Sequence, residues 1–178
     1  MERVLVVGST GAGKTTLARA IAERLRIPFH EMDALVFVAP RWQENPRLLE
    51  DVSRIGSGPS WILDSFGHPK VRDLLWSRAD TIVWLDYSRP VVMRRVLRRS
   101  LARTLLRRRI FGGNTEGPGS WLSPEHPVRW AWSQYAVRRS DIAGRCAAPR
   151  PVPLDVVHLR TPRAARAWLR AATRSPRA

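Results

Sequence analysis

An octapeptide near the start of the chain reads Gly8-Ser9-Thr10-Gly11-Ala12-Gly13-Lys14-Thr15. It matches the phosphate-binding pattern G-x-x-x-x-G-K-[ST] at every fixed position. Small residues let successive backbone N–H groups curl around phosphates, and a helix that follows points its positive end at them. In this pattern the lysine reaches the β- and γ-phosphates and the Thr15 hydroxyl sits on Mg²⁺. We therefore predict that ATP is bound by Gly8, Gly11, Ala12, Gly13, Lys14 and Thr15.

The flanking sequence supplies the context that this motif requires. The apolar run from Val4 to Val7 is typical of a strand that is buried on both faces. After the motif, Leu17, Ile21 and Leu25 recur on one stripe, which predicts an amphipathic helix over 15–25. Chance would produce such a match in about one chain in a thousand of this length and composition. Strand, loop and helix together predict a P-loop.

The rest of the chain alternates short apolar runs with helical patterns, as parallel βαβ units do. Further strands are predicted at 27–31, 61–63, 81–85 and 154–159. Further helices are predicted at 45–55, 71–76, 90–109, 125–139 and from 161 onward. The sequence therefore predicts an α/β fold with a doubly wound, five-stranded parallel sheet, in a single domain over residues 1–178.

The composition is strongly basic. The chain has 31 basic and 15 acidic residues, a net charge of +16, yet only Lys14 and Lys70 are lysines and the other 29 basic residues are arginines. Such a skew is typical of codon bias across a genome. A solvated arginine surface is therefore favoured over binding of nucleic acid, which stays open as an alternative.

Other features of the composition point to a soluble enzyme. The single cysteine, Cys146, excludes an intrachain disulfide and a cysteine-rich metal site. No apolar run approaches the roughly 18 residues that cross a bilayer. The chain enters a strand pattern at once, so we expect no signal peptide. These observations predict a cytoplasmic protein, monomeric or homodimeric, that does not associate with membranes.

Acidic residues follow three of the predicted strands. Asp64 and Asp86 each end an apolar strand, where a carboxylate could hold Mg²⁺ directly or through water, or could cap the next turn. We assign the metal site to Thr15 and Asp64, with Asp86 as the alternative. Asp33 ends the second strand, and we predict that it orients or deprotonates the phosphoryl acceptor; the alternative is an ordinary loop aspartate.

Arginines crowd the long helix predicted at 90–109, at positions 94, 95, 98, 99, 103, 107, 108 and 109. Guanidinium groups stabilise the negative charge that spreads over a phosphoryl group during its transfer. We assign catalytic roles to Lys14, Asp33, Arg107 and Arg108. The last two lie in a glycine-rich segment, about 105–122, that we predict to be a mobile lid. Arg138 and Arg139 are weaker candidates for the same role.

Several segments together carry a family resemblance. They are the P-loop, Met32-Asp33-Ala34-Leu35 followed by Trp42, Trp61-Ile62-Leu63-Asp64, Arg78-Ala79-Asp80, Leu85-Asp86 and Val128-Arg129-Trp130-Ala131-Trp132. The chain resembles, over nearly its whole length, the adenylate-kinase-like P-loop proteins often labelled as DNA topology modulation proteins. Many of those relatives carry Asp-Gly-Asn where this chain has Asp64-Ser65-Phe66.

The resemblance implies a fold similar to that of adenylate and shikimate kinases, with strand order 2-3-1-4-5 and an arginine-bearing lid. It also implies that Thr16 joins the ATP-binding residues. The acceptor is expected to bind in a region at about 33–60.

Taken together, the sequence predicts an ATP-dependent phosphotransferase that uses Mg²⁺ and moves the γ-phosphoryl group to a nucleotide or another small acceptor. Two alternatives stay open, because a fold does not fix a function. One is a kinase of a specialised metabolite. The other is a nucleotide-binding regulator that contacts nucleic acid through its basic surface, which the basic tail at 170–178 mildly favours.

Overall fold

The structure, a computed structural model, describes residues 1–38, 43–105, 109–110, 114–115, 127–151 and 153–172. Within these residues the strands are β1 Arg3–Gly8, β2 Phe29–His30, β3 Phe37–Val38, β4 Gln43–Glu44, β5 Trp61–Leu63, β6 Thr81–Leu85, β7 Arg109–Ile110, β8 Asn114–Thr115 and β9 Asp155–Leu159. The helices are α1 Lys14–Leu25, α2 Met32–Val36, α3 Leu48–Gly56, α4 Arg72–Arg78, α5 Arg89–Leu105, α6 Pro127–Ala147 and α7 Pro162–Ala172.

The described strands form one parallel sheet in the order β2–β5–β1–β6–β9, together with the antiparallel pairs β3–β4 and β7–β8. Numbered along the parallel sheet alone, this is the order 2-3-1-4-5. The predicted fold class and strand order are therefore confirmed.

Helices cover both faces of this sheet. Alternate residues of β1 pack into two apolar clusters, because successive side chains of a strand point to opposite faces. Val4 and Val6 face the cluster formed with α1, α5 and α7, whereas Leu5 and Val7 face the cluster formed with α2, α3 and α4. All four side chains are fully buried, which explains why the sequence shows a continuous apolar run here.

The register brings the ends of the central strands to one edge of the sheet. Leu5 pairs with Leu63 of β5, and Gly8 pairs with Leu85 of β6. The P-loop that follows β1 therefore lies beside the carboxylates that follow β5 and β6. Ligands of open α/β sheets bind at this edge.

The structure corrects several predicted boundaries. Helix α5 ends at Leu105 and not at Arg109, because the backbone of Arg109–Ile110 pairs with Asn114–Thr115 in a hairpin. Helix α6 extends to Ala147, since Ile142 continues its buried stripe. The short helix α2 has no counterpart among the predicted elements.

Some predicted features lie outside the described residues. They are Trp42, Arg107, Arg108, most of the lid at 105–122, and positions 173–178 of the basic tail. None of the helices that the structure describes is long and apolar enough to cross a membrane.

Candidate active site

The P-loop adopts backbone conformations that exclude side chains. The φ angles of Gly8 and Gly11 are 145° and 84°, both in the region that disfavours residues with a Cβ atom. A Cβ at Gly8 would lie 2.6 Å from the Leu85 carbonyl oxygen, and one at Gly11 would lie 2.3 Å from a Val96 methyl carbon. Glycine is therefore required at both positions, by conformation and by space.

Helix α1 begins at Lys14, directly after the loop, and no side chain caps its first N–H groups. Gly13, which precedes the helix, has a φ of 94° and has no side chain that could cap these groups. They remain available to phosphate oxygens, which the helix dipole also favours. Lys14 folds back over the loop, and its Nζ donates a hydrogen bond to the Ser9 carbonyl oxygen at 3.2 Å.

The surroundings of Lys14 disfavour its charge. Burial, and next the nearby Arg138 guanidinium, lower the pKa of Lys14 from 10.5 to about 8. Three further charges act on the same group: Asp64 and Asp33 raise its pKa, and Arg99 lowers it. Two guanidinium groups and two carboxylates therefore act on Lys14, and together with its ammonium group the guanidinium groups could bind phosphate oxygens.

Thr15 and Asp64, the two predicted metal ligands, are in contact. The Thr15 hydroxyl donates a short hydrogen bond to Asp64 Oδ2, and the Met32 N–H donates to Asp64 Oδ1 at 3.1 Å. Burial raises the pKa of Asp64, although both hydrogen bonds and Lys14 oppose that rise. A hydroxyl and a carboxylate oxygen side by side are hard ligands of the kind that Mg²⁺ accepts.

Two side chains do not complete an octahedral site. Among the described residues, no group of three His, Cys, Asp or Glu side chains could hold a metal ion. Mg²⁺ commonly binds to one or two protein groups and completes its shell with water and substrate phosphates. Thr15 and Asp64 fit that mode, since both adjoin the phosphate loop.

Asp86, the alternative metal ligand, is already engaged on both oxygens. Arg139 approaches Oδ1 with Nε at 2.7 Å and Oδ2 with Nη2 at 3.1 Å, and His158 Nε2 lies 2.9 Å from Oδ2. Burial opposes ionisation, yet these hydrogen bonds lower the pKa of Asp86. The structure thus favours Asp64 over Asp86 as the strand-end carboxylate beside Thr15.

A cavity of about 460 Å³ adjoins one side of the P-loop. Its lining includes Gly11, Ala12, Gly13, Thr16, Leu17, Ala20, Leu85, Tyr87, Arg95, Pro162, Ala165, Arg166 and Leu169. Arg95 donates to the Ala12 carbonyl oxygen at 2.7 Å and lies over the Tyr87 ring, 5.1 Å from its centroid. The apolar and aromatic walls fit the base and sugar of a nucleotide. Thr16 is among the lining residues, and its role in ATP binding stays a prediction.

A second cavity, of about 540 Å³, is lined by the residues around Asp33. Its lining is Met32, Asp33, Val36, Phe37, Ser65, Phe66, Gly67, His68, Pro69, Arg72, Trp130, Gln134, Val137, Arg138 and Asp141. The predicted acceptor region, 33–60, supplies only part of this wall. The remainder comes from the turn after β5, from α4 and from α6.

Two arginines share this second cavity. Arg72 lies over the Phe66 ring, 4.2 Å from its centroid, and its Nε donates to the Gly67 carbonyl oxygen at 3.2 Å. Burial, followed by the charge of Arg72, lowers the pKa of Arg138. Two guanidinium groups that repel each other across one cavity would be stabilised by an anion between them.

Sequence reasoning missed Arg72 and Phe66 and treated Arg138 as a weaker candidate. The signal for Arg138 is the spacing of Ala131, Tyr135, Arg138 and Ile142, which puts an arginine in the buried stripe of a helix. No such signal marks Arg72, because its role depends on the turn that brings it over Phe66. Arg107 and Arg108 lie outside the described residues, so their assignment stays a prediction.

Comparisons with known proteins agree with this geometry. Residues 4–64 match the model of the ATPase family associated with various cellular activities (AAA). A shikimate kinase of Pseudomonas fluorescens (strain Pf0-1) is 33% identical over 73 residues, which are 41% of this chain and 34% of that enzyme. A shikimate kinase of Pseudomonas savastanoi pv. phaseolicola (strain 1448A / Race 6) is 32% identical over the same length. The match thus spans about a third of each curated relative.

Solved structures extend the likeness over nearly the whole chain, at the level of fold. Shikimate kinase from Acinetobacter baumannii in complex with shikimate superposes with a TM-score of 0.57 at 15% identity, covering 97% of this chain and 90% of that one. Shikimate kinase from Bacteroides thetaiotaomicron gives 0.55 at 17% identity, covering 96% of both chains. At these identities the likeness shows the fold alone, and the chain shares the fold of these solved kinases. The narrower resemblance to DNA topology modulation proteins stays a prediction.

Proposed function

We propose that this protein is an ATP-dependent kinase that transfers the γ-phosphoryl group of Mg·ATP to a hydroxyl group of a small anionic acceptor. The carrying observation is that the P-loop lines one cavity, and that Lys14 of the same loop is electrostatically coupled to Asp33 and Arg138, which line the second cavity. Transfer between two bound substrates requires this arrangement, because the reacting groups must meet in line.

On the nucleotide side, the N–H groups of Gly11, Gly13 and α1 would bind the phosphates, with the base against the Arg95 and Tyr87 wall. Thr15 and Asp64 would hold Mg²⁺, which neutralises phosphate charge when it is bound. Lys14 would contact the oxygens of the transferred group, where negative charge is redistributed.

On the acceptor side, Asp33 is the one carboxylate of the second cavity that acts on both Lys14 and Arg138. Asp33 is exposed to solvent, so a substrate can reach it directly. It would accept a hydrogen bond from the attacking hydroxyl group, orient that group and take up its proton. Arg138 would stabilise the phosphoryl group as it crosses.

The acceptor's chemical class follows from the cavity wall. Arg72 and Arg138 favour a carboxylate or phosphate group, and Phe66 and Trp130 provide aromatic surface for a compact carbon skeleton. A cavity of about 540 Å³ is of the size that holds small molecules. Shikimate is the first probe, because the relatives above are shikimate kinases and it carries both a carboxylate and hydroxyl groups.

A transfer assay tests the proposal. The purified protein is incubated with γ-labelled Mg·ATP and, in parallel, with shikimate, other hydroxy acids, sugar acids, nucleosides and nucleoside monophosphates. We expect label to pass to a hydroxyl-bearing acid. Asp33→Asn should lower kcat by about a hundredfold or more, as loss of a general base does, with Mg·ATP affinity changed by less than about twofold.

Asp155→Asn is the matched control, because this carboxylate is exposed at the start of β9, at the end of the sheet opposite the P-loop. It should leave kcat unchanged. Transfer to nucleoside monophosphates alone would keep the kinase but overturn the proposed acceptor class. Failure to bind Mg·ATP, or undiminished transfer by Asp33→Asn, would overturn the mechanism.

A further inference from the structure

Asp86 ties three elements together at the end of β6. Its side chain is only 3% exposed, and it receives the two-pronged Arg139 guanidinium from α6 and the His158 ring from β9. The Trp84 ring stacks on His158 with centroids 4.2 Å apart, which fixes that ring as well. The contact to Arg139 is therefore a geometrically defined link between the sheet and α6.

The residue beside Arg139 belongs to the proposed site. Arg138 shares the buried stripe of α6 with Tyr135 and Ile142, and it interacts electrostatically with Lys14. Arg139 follows Arg138 directly, about 100° further around the helix, and it reaches Asp86. The two adjacent arginines thus contact different partners. Because they lie on one helix, fixing the position of Arg139 restricts both the rotation of α6 about its axis and its shift along that axis, and so restricts the position of Arg138.

A second contact holds the same part of α6. The Tyr135 hydroxyl donates to the Tyr87 carbonyl oxygen at 2.9 Å, directly after Asp86 in the chain. Tyr135 and Arg139 are one helical turn apart, so both bonds join one side of α6 to one strand end. Because the Arg139 side chain is 54% exposed, this ion pair adds little to stability, and its two-pronged geometry is what restricts the position of α6.

We propose that Asp86 is a positioning residue, which holds α6 through Arg139 so that Arg138 faces the terminal phosphoryl group of bound ATP. The inference rests on the proposed function. It assigns Asp86 neither to the metal site nor to contact with substrate, but to the placement of a residue that does make contact.

The test compares two nucleotides that differ in the terminal phosphoryl group. Affinities for Mg·ADP and for Mg²⁺ with the ATP analogue AMPPNP are measured by calorimetry. Arg138→Met should weaken AMPPNP binding roughly tenfold, as expected for a lost charge-assisted hydrogen bond, and change ADP binding by less than about twofold. Asp86→Asn and Arg139→Met should reproduce this selective loss. Arg139→Lys should restore part of it.

The double variant Asp86→Asn with Arg138→Met provides the decisive comparison. If Asp86 acts through Arg138, the double variant should lose no more AMPPNP affinity than Arg138→Met alone. The matched control is Arg145→Met. It removes one positive charge and one ion pair from the same helix, the 2.7 Å contact of Arg145 with Asp73, and should leave both affinities unchanged.

Each remaining outcome overturns the proposal. An equal loss of ADP and AMPPNP affinity in Asp86→Asn would mean that the ion pair only maintains the fold. A selective loss in Arg138→Met without one in Asp86→Asn and Arg139→Met would mean that Arg138 needs no positioning. If wild-type protein and Arg138→Met bind both nucleotides alike, the proposed function of the site fails too. If Asp86→Asn does not fold, the same comparison is made with Arg139→Met and Arg139→Lys, and the same outcomes decide it.

Discussion

Lys14 must carry a charge in surroundings that disfavour it. Burial and Arg138 lower the pKa of Lys14 to about 8, against 10.5 for an ordinary lysine. Between those pH values the unfolded chain binds more protons at this position than the folded protein does. The free energy of unfolding therefore increases as the pH rises from about 8 to 10.5. Below pH 8 the buried charge of Lys14 destabilises the folded protein by its full amount, and this is the cost of keeping Lys14 charged. Bound phosphate would offset that cost.

The unusual composition makes this prediction measurable. Lys14 and Lys70 are the only lysines in the chain, so ¹³C-labelled lysine gives two Cε signals, which Lys70→Arg assigns. In protein free of nucleotide and Mg²⁺, the Lys14 signal should titrate at about pH 8, and Arg138→Met should raise its pKa because a repelling charge is gone. A Lys14 signal that titrates at 10.5 or above would contradict the geometry described.

At the scale of elements, the turn between β5 and α4 forms part of the second cavity, where we propose that the acceptor binds. Trp76 Nε1 donates to the Phe66 carbonyl oxygen at 3.0 Å, and the two rings meet edge to face with centroids 5.9 Å apart. Phe66 is buried, and the Arg72 guanidinium packs over the face of its ring. In the same turn, Asp64-Ser65-Phe66 stands where many of the proteins that this chain resembles carry Asp-Gly-Asn. The two differing residues, Ser65 and Phe66, both line the second cavity.

Phe66→Leu tests the role of this turn. Removing the ring should release Arg72 and raise the KM for the acceptor found by the transfer assay by about fivefold, in line with a cation–π contact. The KM for Mg·ATP should stay the same. Phe29→Leu is the control, because Arg19 lies over that ring, 5.5 Å from its centroid, away from the acceptor cavity. An acceptor KM that rises equally in both variants would assign the effect to general loss of packing.

Local patterns predicted the sheet well and the site in part. Continuous apolar runs identify β1 and β6 because both faces of the sheet are covered, and Asp64 follows from the end of such a run. Leu49 is as apolar as its neighbour Leu48, yet it is 57% exposed, because α3 buries Leu48 and Val52 instead. Arg138 lies far along the chain from Lys14. Only tertiary packing brings α6 to the P-loop, so spacing within one element could not assign it.

At the scale of the whole molecule, the charge of +16 raises the question of nucleic acid. We expect binding to duplex DNA to be weak and indifferent to sequence. Its affinity should fall steeply between about 50 and about 200 mM salt, because such binding depends on counterion release. A fluorescence titration with two unrelated duplexes measures this. Submicromolar, sequence-selective binding at physiological salt would favour the regulator over the kinase.

The contact between Gly11 and Val96 has a consequence for how this protein can evolve. Val96 binds no phosphate in the proposed site, yet its methyl group occupies the space that a Gly11 side chain would need. The surface of α5 at Val92 and Val96 is therefore restricted by the loop that it supports. A lineage that enlarged position 96 would distort its nucleotide loop without changing one letter of the motif, and a search for that motif would still report it as intact.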